Sequence, residues 1–226
     1  METEKIHNLA ESKEELLHFK IELPARDGVN KHNCLQTSTG MILDGWKKEG
    51  APDYKELDKI SHRREGMGSW PGWLVSWLSD SGYGIDFYSK FDWEKFSEQG
   101  EDYLKSEEFR QKHETETERN FADYLKRHVV EDGIASAKEM EERGLIKTAE
   151  ITLGEIFERI KNGERGMFLL DGDHWVPVTG FDGQKVYYNN PSGESVELNR
   201  EKELKDFEKK WNRFNLNTVL LIRNKE

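Results

Sequence analysis

The chain has 226 residues, 35% of them hydrophobic and 35% charged, and a net charge of −11. That length suits one domain or one domain with a large insertion, and seven Trp, seven Tyr and eleven Phe supply a core despite few aliphatics. So acidic a surface repels nucleic-acid phosphates and anionic membranes, which excludes both as expected partners.

A single cysteine rules out an intrachain disulfide and points to a reducing, cytoplasmic setting. The opening METEKIHNLAESKEELL lacks a basic start followed by an apolar core, so no signal peptide is expected. No apolar run approaches the length of about 18 residues that a membrane span needs.

In chain order, residues 8 to 20 read as a short helix, and HFKIELP as a strand stopped by Pro24. ARDGVNKHN is a loop rich in turn formers. Asn33 is a good N-cap for a helix over roughly 34 to 47. Leu35, Ile42 and Trp46 share a face of that helix, with the small residues Thr39 and Gly40 nearby, which is the pattern of a central helix packed closely on its neighbours. Another short helix is expected over 51 to 62. GSWPGWLVSWLSDSG predicts the next, with Pro71 early in it and Gly82 past its end. Trp70, Trp73 and Trp77 recur there at helical spacing, which serves core packing or lines an aromatic groove. GIDFYSK reads as a strand.

Residues 92 to 147 are strongly charged and helical in pattern, and EEFRQKHETETERN is nearly devoid of apolar residues. This predicts a solvent-exposed helical insertion or lid within a single domain spanning 1–226. TLGEIFERIKNGE is a helix with a capping box at Thr152 and Glu155 and a C-terminal cap at Gly163. GMFLLD is then a buried strand, followed by a hairpin over Asp171 to Gly193, the strand ESVELN, a short helix near 200 to 211 and the strand NTVLLIR. The layout is α+β, with a mostly helical N-terminal part and a mostly antiparallel C-terminal sheet.

Cys34 falls in the first turn of its predicted helix. Backbone N–H groups there lack intrahelical partners and the helix dipole is positive, so a lowered thiol pKa is expected. A thiolate nucleophile needs a base beside it. His174 is the candidate, placed where a strand begins and, by expectation, at a sheet edge facing a cleft. The other histidines (His7, His18, His32, His62, His113 and His128) form no tight pair of the kind zinc requires. A cysteine–histidine pair uses Asn or Asp to accept from the second ring nitrogen. Asn189 and Asn190 are both available before Pro191. A two-residue loop at Asp182-Gly183 puts Asn189 on the His174 face, whereas a three-residue loop with a bulge puts Asn190 there.

The order Cys34, His174, Asn, with the cysteine opening a helix and the histidine opening a hairpin, resembles a papain-like cysteine peptidase. More narrowly, NGERGMFLLDGDHWVPVTGFDGQKVYYNNP resembles the bacteriocin-processing (double-glycine) peptidase-like family over about residues 150 to 192, and NCLQTSTGMIL resembles its cysteine helix. The resemblance implies a papain-like fold and a catalytic set of Cys34, His174 and Asn190, the residue directly before the proline being the one that orients the imidazole. It implies hydrolysis of a peptide or small amide without metal or organic cofactor. Acyltransferases with this fold pass the acyl group to an amine instead, and a scaffold that has lost its oxyanion side chain binds peptide without cleaving it. Two positions depart from the family: Leu35 replaces the glycine after the cysteine, and Gly28 stands where the oxyanion glutamine is expected. Asn30, Asn33 and Gln36 are the nearby amides, and one oxyanion donor is worth roughly 3 kcal/mol of barrier.

Overall fold

The computed structural model describes residues 18–26, 32–46, 51–112, 128–147, 149–192 and 195–224. The helix expected over 8 to 20 lies almost wholly outside them. The described strands form one sheet in the order β3 (Ile146–Lys147), β2 (Gly84–Tyr88), β8 (Val219–Arg223), β4 (Arg165–Leu170), β5 (His174–Phe181), β6 (Lys185–Ser192) and β7 (Ser195–Glu203). A short β1 (Phe19–Lys20) pairs with the far end of β5, Phe19 opposite Phe181. Every pairing is antiparallel except β2 with β3. The fold is therefore α+β.

Side chains alternate across a pleated strand, and both faces of this sheet are covered. Met167, Trp175, Leu220 and Ile222 point into one apolar cluster, together with the N-terminal helices. Phe168, Val176, Val178, Val219 and Leu221 point into a second, closed by α8 (Leu153–Lys161) and α9 (Leu204–Trp211). Full burial of each such side chain stabilises by about 1.5–3 kcal/mol. The expected capping box forms at Thr152 and Glu155, and Gly163 takes the positive φ of 107° that a C-terminal cap needs. α9 begins later than the sequence pattern suggests because β7 runs on to Glu203.

α1 (Cys34–Gly45) is a central helix, with every residue from Leu35 to Leu43 buried. α2 (Tyr54–Ile60) packs beside it, and α3 (Gly72–Asp80) packs on α2 and β2. The charged segment does not simply stand in solvent. Its described helices are α4 (Trp93–Gln99), α5 (Glu101–Lys105), α6 (Glu107–Lys112) and α7 (Val130–Glu142). Their charged faces are exposed, but Trp93, Phe96, Tyr103, Leu104, Phe109 and Met140 are buried in the first cluster. Residues 113–127 lie outside the described residues. Trp70 lies across α7 where residue 133 is glycine, since a β-carbon there would meet the indole at 2.5 Å. The Trp70 indole N–H donates to Val129 O at 2.9 Å.

Candidate active site around Cys34

Cys34 is the first residue of α1. Asn33 occupies the N-cap position without capping through its side chain, and its Oδ1 instead accepts from Thr37 Oγ1 at 3.2 Å. α1 is fixed on the start of β5 by Ser38 Oγ, which donates to Trp175 O at 3.0 Å. That placement puts the thiol against the backbone on either side of His174. The Trp175 N–H donates to Cys34 Sγ at 3.4 Å, and Sγ lies 3.8 Å from Asp173 O, within reach to donate to it.

His174 opens β5, but β5 is an interior strand flanked by β4 and β6, so the imidazole lies at a strand end and not at a lateral edge of the sheet. The turn before it is tight, with Asp171 and Gly172 at φ of 52° and 79° and Asp173 N–H donating to Leu170 O. His174 Nε2 lies 2.6 Å from Asn190 Oδ1. The Asn190 Nδ2 donates in turn to Glu197 Oε2 at 2.7 Å.

The register that brings His174 and Asn190 together has an origin different from either expected loop. Phe181 pairs with Val186, so four residues, Asp182 to Lys185, make the turn. Asp182 organises it: its Oδ1 accepts from the Gln184 and Lys185 N–H groups, and its Oδ2 from Tyr187 OH. The tyrosine hydroxyl and these N–H groups hold the Asp182 carboxyl down at about 2. From that turn alone, Asn190 would fall on the face opposite His174. The register then shifts by one between Val178 and Gly180, a bulge at Thr179, and Asn190 returns to the histidine's face. Asn189 is on the other side, 1% exposed, where its Nδ2 donates to Leu23 O at 3.4 Å and its Oδ1 accepts from Asn199 N at 3.0 Å.

The thiol pKa is not lowered. Burial pushes Cys34 up to about 11, the nearby Asp173 charge adds to this, and the Trp175 N–H only partly opposes it. A helix N-terminus is worth a fraction of a kcal/mol to about 1 kcal/mol, whereas desolvation of a buried group shifts a pKa by several units, so burial dominates. Cys34 opens on a cleft walled by Leu35, Trp70, Phe91, Trp93 and Trp175, with His32 and His128 in its lining. Trp70 thus serves both core and cleft. Of the nearby amides, Gln36 is fully buried and its Nε2 donates to Ser61 Oγ and Ser69 Oγ at 2.5 and 2.6 Å. Gly28 and Asn30 lie outside the described residues.

Among the described residues, no group of three or more His, Cys, Asp and Glu side chains is arranged to hold a metal ion. No described helix is long and apolar enough to cross a membrane. Sequence reasoning did not find Glu197 or Ser38. Glu197 carried a readable signal only once the β6–β7 register was known, because it then faces Asn190. Neither a family model nor a curated protein matches the sequence. Among solved structures, a double glycine motif protease from an AMS/PCAT transporter, crystallised with the leader peptide, is similar at 12% identity and a TM-score of 0.48, covering 91% of this chain and 94% of that one.

Proposed function

We propose that this chain is a papain-like thiol hydrolase that cleaves a peptide or small amide bond. The observation that carries this reading is the 2.6 Å contact between His174 Nε2 and Asn190 Oδ1, made by a histidine whose flanking backbone groups both touch the Cys34 sulfur. With Nε2 on the asparagine, Nδ1 is the ring nitrogen left to act as base. Cys34 Sγ attacks the carbonyl carbon as its proton passes to His174 Nδ1. The tetrahedral intermediate collapses, the C–N bond breaks, and the leaving amine takes the proton from the imidazolium. Water, deprotonated by the same nitrogen, then cleaves the thioester. The reaction as written consumes only water, so it calls for no metal or organic cofactor. The charged segment at 92–147 is, in this reading, an insertion in a single domain over 1–226 that supplies Trp93 to the cleft wall.

A second reading, a papain-like scaffold that binds peptide without cleaving it, is favoured by the raised thiol pKa. Incubation of wild type and Cys34→Ala with a mixed peptide pool, read by mass spectrometry, separates the two. New termini with wild type alone support the hydrolase. Binding of the same peptides by both proteins without cleavage supports the scaffold. Added hydroxylamine or a peptide amine reports acyl transfer as the corresponding adduct.

A further inference from the structure

The amide of Asn190 has nearly the same shape in either orientation, yet only one orientation is useful. We propose that Glu197 is a positioning residue that locks this orientation and thereby sets the tautomer of His174; the proposal rests on the hydrolase reading above for its consequence, though not for its geometry. A carboxylate only accepts hydrogen bonds. Its contact at 2.7 Å therefore demands the NH2 end of Asn190. Asn190 Oδ1 is then the atom that meets His174 Nε2 at 2.6 Å. An amide oxygen also only accepts, so Nε2 carries the proton and Nδ1 keeps its lone pair. With the amide reversed, an oxygen would face the carboxylate and an N–H would face Nε2. The ring proton would then be driven to Nδ1, and the base would be lost.

The backbone is arranged to put this carboxylate there. Tyr188 pairs with Arg200, and that register continued without interruption would set Leu198 opposite Asn190. Instead the register shifts between Tyr188 and Asn190, and Glu197 becomes the partner. The extra residue falls in β7 at 198–199, where Asn199 takes a φ of 52° and its N–H is held by Asn189 Oδ1. Leu198, displaced from the pair, is left 42% exposed. Arg200, 3.8 Å from the Glu197 carboxylate, is the charged neighbour on the same strand.

The test uses the full-length protein as wild type, Glu197→Ala and Glu197→Gln, with His174→Gln to assign the ring signals. Long-range proton–nitrogen spectra of labelled histidine give the tautomer, and steady-state kinetics give kcat and KM separately. Wild type is expected to show the Nε2–H form. Glu197→Ala should show a mixture, with kcat down about tenfold and KM little changed. Glu197→Gln, which still offers an acceptor, should recover most of both. Melting curves should be unchanged, because Glu197 is exposed. An unaltered Nε2–H signal in Glu197→Ala overturns the proposal, as does an equal loss in Glu197→Gln. If wild type cleaves nothing, the hydrolase reading fails while the tautomer spectra still decide the role of Glu197.

Discussion

Alanine at Asn189 and alanine at Asn190 should damage different properties, although the residues are adjacent. Asn189 is 1% exposed and ties the chain near Leu23 to the bulge at Asn199. Its removal orphans Leu23 O and Asn199 N–H, and an orphaned buried group costs about 1–3 kcal/mol. The first bond is long at 3.4 Å and Asn199 is exposed enough for water to replace the second, so the sum should stay near 2 kcal/mol. For a chain of 226 residues that lowers Tm by about 4–8 °C. Asn190 is only half-buried, and both its partners can turn to solvent. Asn190→Ala should therefore cost under about 1 kcal/mol of stability while lowering kcat by roughly 10- to 100-fold through loss of imidazole orientation. Urea unfolding of both variants beside peptide-cleavage kinetics makes the comparison. A reversed ranking, with Asn189→Ala the poorer catalyst at temperatures where both are folded, would refute the register argument. Equal losses of activity and stability in both would mean that the hairpin simply fails to form.

Two further outcomes follow from the same contacts. The half-buried thiol, pushed up to about 11, should alkylate with iodoacetamide at a rate that climbs between about pH 9 and 11. A plateau reached below pH 7 would show a preformed ion pair instead. Because the folded pKa lies above the unfolded one, this thiol adds stability below about pH 9 that is lost as pH rises towards 11. Separately, Gly133→Ala places a methyl group 2.5 Å from the Trp70 indole. It should cost about 1–3 kcal/mol in urea unfolding and disturb the cleft wall, and an unchanged midpoint would mean that α7 shifts away freely.

Much of the fold was legible because its signals are local. The capping box at Thr152, the glycine at 163 and the near-continuous apolar runs of β4, β5 and β8 each fix an element from a few consecutive residues. What escaped is non-local. The Thr179 bulge has no sequence marker, and it reverses the face on which Asn189 and Asn190 fall. The charged segment misleads for a different reason. One buried aromatic or leucine every few residues, as at Trp93, Phe96, Tyr103 and Leu104, is enough to anchor short helices whose other positions are acidic or basic. At the site, the helix position of Cys34 was readable but its partial burial was not, because the walls of the cleft come from residues as distant as Trp70 and Trp175.

That burial bears on how the proposed chemistry must run. A thiol pushed up to about 11 from its ordinary value near 9 places the free thiolate further out of reach at neutral pH. Little of it is thiolate at pH 7, so in the proposed reaction a standing thiolate contributes little. The proton has to leave during attack, and the acceptor has to be ready before substrate arrives. An imidazole with its proton on Nδ1 could not accept it, and ring rotation at His174 would break the 2.6 Å bond to Asn190. In this reading the imidazole is matched to the thiol by hydrogen bonds behind the ring. In the proposed reaction, the relay from Glu197 through Asn190 to His174 should therefore have more influence on rate than its distance from the sulfur suggests.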